Sequence, residues 1–196
     1  MEPSADQSRT LRRAVFLDRD GTLNVEVNYL HRIEDFTLIP GVAPAIMALN
    51  RAGFLVIVVT NQAGIARGYY DEQAMHMLHE HLKQALAVEG GHLDGIYFCP
   101  HHPDFSGACA CRKPEPGMLL QAAAEHTIDL ARSWLVGDTS GDIGAGHAAG
   151  CRTILVRSGY GSCFEAQAQS GDDPQPETIV DDVAEAVEYI LMHDSG

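Results

Sequence analysis

The chain has 196 residues, 45% hydrophobic and 20% charged, with 27 acidic side chains against 13 lysines and arginines for a formal net charge of −14. That length and balance fit one globular domain with a sizeable core, and the acidity argues against nucleic acid as a partner, because a phosphate backbone wants a basic face. No segment approaches the roughly 20 apolar residues of a membrane-spanning helix and no secretory leader is recognisable, so the expected compartment is the cytoplasm, where the five cysteines stay reduced.

Residues 1–12 are polar and are expected to form a loose tail, leaving residues 13–193 as one folded domain. Ala14, Val15, Phe16 and Leu17 make a short apolar run of the kind a buried strand shows. The run leads straight into Asp18-Arg19-Asp20-Gly21-Thr22. In an extended chain residues i and i+2 face the same way, so Asp18 and Asp20 share a site and Arg19 turns away. Two close carboxylates repel unless a cation lies between them, and a hard, oxygen-seeking ion such as Mg²⁺ fits that need. One carboxylate can then act as a nucleophile toward a phosphoryl group, the other as general acid and base. Gly21 lets the backbone turn tightly beside a ligand. A DxD alone is better explained by a solvated acidic turn; directly after an apolar strand and before Gly-Thr it is far more specific.

Residues 25–40 show no clean period and read as a long loop, which either shapes access to the site or packs as a connector through Tyr29, Ile33, Phe36 and Leu38. Residues 41–52 fit a helix closed by Gly53, and residues 54–59 a second buried strand. That strand ends in Thr60, Asn61 and Gln62, whose hydroxyl, amide and backbone groups suit phosphate oxygens. A Gly-containing loop over residues 61–70 follows. Asp71 caps a helix reaching about Val88, with Met75, Leu78, Leu82 and Ala85 on one stripe. The helix also carries His76, His79 and His81, read as surface histidines because no HExxH-type zinc pattern accompanies them. Residues 94–98 form a short third strand.

Residues 99–114 are the second informative stretch. Cys99, His101, Cys109 and Cys111 form a CxH…CxC set, the arrangement by which two ligand pairs close a structural zinc site. The loop between them is poor in apolar groups, so a metal would supply its ordering energy. His102 is the alternative fourth ligand, with His101 preferred. Arg112 and Lys113 follow at once, in a chain whose only lysines are Lys83 and Lys113. The ammonium can neutralise a nucleophile carboxylate and an incoming phosphoryl group, and the guanidinium offers a bidentate fork.

Residues 116–127 read as a helix and residues 133–137 as a fourth strand, ending in Gly137-Asp138. Asp138 is the expected metal ligand; Asp142, at the start of the next helix, is a ligand or an orienter. Residues 152–157 and 178–180 are the remaining strands, residues 159–176 are expected to be mobile, and residues 181–192 close the chain as an amphipathic helix. Cys151 is expected to be buried and inert; Cys163 has no assigned role.

Strands alternating with helices indicate an α/β fold, a doubly wound parallel sheet. The order DxDGT, TNQ, RKP, GDxxxD resembles the four motifs of the haloacid dehalogenase-like hydrolases over nearly the whole chain. With the CxH…CxC loop directly before RKP, it resembles the zinc-containing branch whose members dephosphorylate a heptose bisphosphate or histidinol phosphate. NQAGIARG, NYLHRIEDFTLIPGV and RKPEPGM favour the heptose side. The resemblance implies a Rossmann-like core without a large cap domain, and a Mg²⁺-dependent phosphatase that removes the 7-phosphate of a heptose bisphosphate in lipopolysaccharide-core precursor synthesis. In it Asp18 is the nucleophile, Asp20 the acid/base, and Thr60 and Lys113 stabilise the phosphoryl group. Mg²⁺ is held by Asp18, the backbone of Asp20, and Asp138; Zn²⁺ at Cys99, His101, Cys109 and Cys111 is structural. Substrate contacts fall at Glu26, Val27, Asn28 and Tyr29, at Thr60, Asn61, Gln62 and Ala63, and at Arg112 and Lys113. Thr139 stands where the family often has a lysine. A monomer acting on a small phosphorylated sugar, with no nucleic-acid or membrane partner, completes the expectation. A histidinol-phosphate phosphatase, a DNA-end phosphatase and a zinc-stabilised module without catalysis are the competing readings.

Overall fold

The structure is a computed structural model and describes residues 10–168 and 174–194. Six strands, β1 (Ala14–Leu17), β2 (Leu55–Asn61), β3 (Gly95–Cys99), β4 (Trp134–Gly137), β5 (Arg152–Val156) and β6 (Thr178–Val180), form one sheet in the order β3-β2-β1-β4-β5-β6, every pair parallel. The chain winds outward in both directions from β1 and β4. The crevice at the carboxyl ends of such a pair is the ligand site of a doubly wound sheet.

Alternation along β1 sorts the core into two layers. Val15 and Leu17 face the helices α1 (Val42–Arg51), α3 (Glu72–Val88) and α8 (Val183–His193), while Ala14 and Phe16 face α5 (Gly117–His126) and α6 (Ser140–Ala149). All four β1 residues are fully buried, and each large apolar side chain so covered is worth about 1.5–3 kcal/mol. The short helices α2 (Ala63–Ala66), α4 (Pro103–Ser106) and α7 (Gly161–Ala168) lie in the connections. Asp71 caps α3 by accepting from the Ala74 N–H at 2.8 Å. The buried stripe of α3 is Met75, Leu78, His79, Leu82 and Leu86, with Leu86 in the place expected for Ala85.

Three expectations are corrected. His79 is 4% exposed and belongs to the core-facing stripe of α3, not to the surface. Backbone order begins before residue 13: the Arg12 N–H donates to Thr127 O at 2.9 Å, and Asp129 N–H to Arg12 O at 2.8 Å; residues 1–9 of the expected tail lie outside the described residues. The segment 159–176 contains α7, and residues 169–173 of it lie outside the described residues. Cys151 is buried as expected, and burial pushes its thiol up to about 12; Cys163 is an exposed free thiol. Among the described residues no helix is long and apolar enough to cross a membrane.

Candidate active site

The register sets the site. Leu17 pairs with Val58 on one side and Val136 on the other, so Asp18 emerges between the carboxyl-terminal parts of β2 and β4, and Asp138 follows the last residue of β4. Asp18, Asp20, Glu26, Val27, Asn28, Tyr29, Thr60, Asn61, Gln62, Ala63, Arg112, Lys113 and Asp138 all line one cleft of about 410 Å³. That volume suits a small molecule.

A buried ion chain crosses the cleft floor. Lys113, 5% exposed, places its Nζ 2.8 Å from Asp18 Oδ1 and 2.5 Å from Asp142 Oδ1, and donates to Val59 O at 2.8 Å. Burial would lower the Lys113 pKa, but Asp142 and Asp18 more than offset it and the ammonium is held above its ordinary value. Asp142 is fully buried and engaged at both oxygens: its Oδ2 accepts from the Thr139 N–H at 3.0 Å and hydroxyl at 2.6 Å, the capping box of α6. Of its two expected roles the geometry supports the orienter. Thr139, in place of a lysine, is what holds it there.

Asp18 Oδ1 also accepts from the Arg19 N–H at 2.7 Å. Burial pushes the Asp18 carboxyl up to about 7, with Lys113 opposing and Asp142 adding. Asp138 is pushed up to about 8 by burial and then by Asp18 and Asp142. Its Oδ2 accepts from the Tyr160 N–H at 2.8 Å, whereas its Oδ1 is buried without a partner. Space for this carboxylate comes from two glycines at positive φ: a Cβ on Gly21 or Gly159 would lie 2.2 or 2.1 Å from Asp138 Oδ2. The carboxylates of Asp18, Asp138 and Asp142 approach within 4.8 Å of one another. A buried orphan oxygen between carboxylates that resist ionising together is a fit for a hard divalent cation such as Mg²⁺, which reverses both pKa shifts on binding.

Asp20 is held from three sides. Arg19 Nη2 lies 2.6 Å from Asp20 Oδ2, Asn24 Nδ2 donates to Oδ1 at 3.0 Å, and Gln62 Nε2 donates to Oδ2 at 2.9 Å. Arg19 does turn away from the cleft, but into a fully buried position against Met75 Sδ at 2.8 Å and His79 Nε2 at 3.3 Å. The His79 imidazole is kept neutral: burial, then Arg19, depresses its pKa to about 3. Asn61 is engaged elsewhere than expected of a phosphate contact. Its amide pairs with the Lys113 backbone in both directions, each bond 3.1 Å, and so fixes that loop to β2.

On the metal loop, the Sγ atoms of Cys99, Cys109 and Cys111 lie 3.0–3.5 Å apart, and His101 Nδ1 lies 3.6 Å from Cys99 Sγ and 3.4 Å from Cys111 Sγ. All the cysteines are free thiols. Thiolates at about 2.3 Å from a tetrahedral zinc stand roughly 3.8 Å apart, so the cluster is compatible with that ion. His102 is not part of it; its Nδ1 accepts from the Asp104 N–H at 3.2 Å and its Nε2 meets Arg67 at 2.9 Å.

The HAD-hydrolase-like family matches residues 110–186. Over 192 residues the chain is 47% identical to the D-glycero-D-manno-heptose-1,7-bisphosphate 7-phosphatase of Thermosynechococcus vestitus, covering 93% of this chain and 97% of that one. The chain belongs to the heptose-bisphosphate phosphatase family of the haloacid dehalogenase-like hydrolases. It is 49% identical over 160 residues to the Escherichia coli K12 member, covering 79% of this chain and 84% of that one. The structure of the D,D-heptose 1,7-bisphosphate phosphatase from B. bronchiseptica, complexed with magnesium and phosphate, superimposes with a TM-score of 0.84 at 37% identity, covering 92% and 98% of the two chains. This protein is thus a phosphoric monoester hydrolase.

For this phosphatase the structure adds cleft residues that sequence reading missed: Arg67, Tyr70, His102, Tyr160 and Phe164. Tyr160 and Phe164 sit at and in α7, inside a stretch whose Gly, Gln and Asp content hides the helix. Arg67 lies over the Phe105 ring at 4.7 Å and the Tyr29 ring at 5.8 Å, so it ties the metal loop to the loop that holds Tyr29.

Proposed function

We propose that this phosphatase hydrolyses the 7-phosphate of D-glycero-D-manno-heptose 1,7-bisphosphate through a phosphoryl-Asp18 intermediate. The observation that carries the reading is the Asp18–Lys113 pair at 2.8 Å beside the unpartnered Asp138 oxygen, in a chain so similar to the named heptose phosphatases. An Asp18 carboxylate oxygen bonds to phosphorus as the bond from phosphorus to the C7 oxygen breaks, and Asp20 gives that oxygen its proton. Water then attacks the phosphorus of the aspartyl phosphate, its proton passes to Asp20, and the bond to Asp18 breaks to release inorganic phosphate. Lys113 and Thr60 direct positive charge and a hydrogen bond at the transferring oxygens. Asp18, the Asp20 backbone carbonyl and Asp138 would hold Mg²⁺, which would supply further charge neutralisation.

Cys99, His101, Cys109 and Cys111 would hold a zinc ion, which would order the loop that delivers Arg112. Arg112 Nη1 donates to His101 O at 3.2 Å, so its place depends on that loop. The product, a heptose monophosphate, belongs to the synthesis of activated heptose for lipopolysaccharide core. The test is phosphate release with Mg²⁺ from heptose 1,7-bisphosphate and from histidinol phosphate, side by side. Strong preference for the heptose is expected; preference for histidinol phosphate overturns the substrate and keeps the chemistry.

A further inference from the structure

Gln62 is 3% exposed and has every polar end of its amide engaged. Its Nε2 donates to Asp20 Oδ2 at 2.9 Å and to Thr60 Oγ1 at 2.8 Å, and its Oε1 accepts from the Tyr70 hydroxyl at 2.7 Å. Turning the amide over would aim a carbonyl oxygen at the Asp20 carboxylate, in a buried place where an unmatched polar pair is costly, and would force the Tyr70 hydroxyl to accept instead of donate. Tyr70 is itself held. Its ring stacks on His31 with centroids 5.1 Å apart. Gly64 in α2 makes room for it, since a Cβ there would lie 2.1 Å from the ring. Burial pushes the phenol up to about 12, so it remains a donor.

We propose that Tyr70 and Gln62 are positioning residues for Asp20: Tyr70 locks the Gln62 amide, and Gln62 holds the Asp20 carboxyl and the Thr60 hydroxyl in one register. The inference rests on Asp20 being the acid/base. Arg19 grips both Asp20 oxygens and Asn24 holds Oδ1, so the Gln62 bond adds a second donor at Oδ2 and, with Arg19, sets the tilt of the carboxyl plane. A proton donor displaced by about 1 Å loses on the order of 10²-fold in rate. Neither Tyr70 nor Gln62 touches the reacting atoms in this role; both act through Asp20, and Gln62 also through Thr60.

The test compares kcat/KM for heptose 1,7-bisphosphate with kcat/KM for p-nitrophenyl phosphate in the wild type, Tyr70→Phe, Gln62→Leu and Asp20→Asn. Any alkyl phosphate that the enzyme hydrolyses serves in place of the heptose ester. kcat/KM covers the steps through cleavage of the ester bond. Nitrophenolate leaves without a proton, so only the sugar ester reports on the acid. Asp20→Asn is expected to lower the sugar-to-nitrophenyl ratio by about 10² or more, and the other two variants by about tenfold. Partial unfolding lowers both rates together and leaves the ratio alone, so the reading survives loss of stability. If Asp20→Asn lowers both rates equally, the acid/base role falls. If it lowers the ratio while Tyr70→Phe and Gln62→Leu keep the wild-type value, the positioning role falls and Asp20 stands.

Discussion

Asp18 and Asp138 sit where two fully buried strands end, whereas Cys99, His101, Cys109 and Cys111 close a loop whose residues 103–108 are all exposed. At the sheet edge the backbone is fixed by hydrophobic burial, and the charges are carried into a water-poor place by that scaffold. The result is strong coupling: the Asp18 and Asp138 carboxyls pushed up to about 7 and 8, and the Lys113 ammonium bound between Asp18 and Asp142. In the metal loop there is little apolar packing, and position depends on the donors converging on one point. Lys113 lies in sequence beside the metal loop, but its contacts, to Asn61, Val59, Asp18 and Asp142, belong to the sheet edge. Arg112, bound to His101 O, belongs to the metal loop. Adjacent residues are therefore placed by different physics, and each can be disturbed without the other.

The largest expected effect is at the sheet edge. Asp18→Asn should lower kcat by at least about 10³-fold, as loss of a nucleophile does, with thermal unfolding unchanged or at a higher temperature, because a crowded buried charge is removed. Next comes Lys113→Met. It leaves Asp18 and Asp142 buried together without their cation, a change of the class that costs about 3–5 kcal/mol, and kcat should also fall by about 10²–10³-fold; denaturant titration and turnover check the two together.

Zinc removal is the complementary perturbation. Chelation should lower the melting temperature and raise KM about tenfold through Arg112, while kcat, which depends on Lys113, changes less. A fall in kcat with KM unchanged would show that Lys113 also depends on the metal loop and would erase the contrast.

Protonation gives two finer tests. In metal-free protein Asp18 and Asp138 bind protons more tightly folded than unfolded. Their contribution to stability is present below about pH 4 and is lost as pH rises to 7–8. Mg²⁺ displaces those protons, so its apparent affinity should strengthen across the same window, with proton release measurable by calorimetry in buffers of different ionisation enthalpy. Asp138→Asn should abolish Mg²⁺ binding and shrink the metal-free profile to the part that Asp18 contributes. A separate effect of opposite sign belongs to His79, whose folded pKa of about 3 lies below its ordinary 6.5. Here the unfolded state takes up the extra proton, so stability is present above 6.5 and is lost as pH falls toward 3. His79→Gln should remove up to about 1.4 kcal/mol per pH unit from that acid limb, measured by denaturation at several pH values.

Much of the site was legible because its chemistry lies in local runs at strand ends. Asp18, Asp20, Thr60 and Asp138 each lie at or just past the end of an apolar strand, Lys113 follows the metal loop at once, and the cysteine and histidine spacing stands out in any setting. What stayed hidden depends on partners far off in sequence. Nothing near Arg19 signals that it pairs with Asp20 over a floor of Met75 and His79. Nothing near Asn61 signals that its amide clamps Lys113 rather than facing phosphate. One miss was avoidable: His79 stands at i+4 from Met75, on the same stripe as Leu82 and Leu86, and that spacing already put it on the buried face.

The most direct test of the central claim is rapid acid quench of a single turnover with substrate labelled at the 7-phosphate, followed by peptide mapping. A transient, acid-stable phosphoryl group on the peptide carrying Asp18, rising before inorganic phosphate and absent in Asp18→Asn, is the predicted result. Inorganic phosphate released at full rate with no label ever on Asp18 would contradict it.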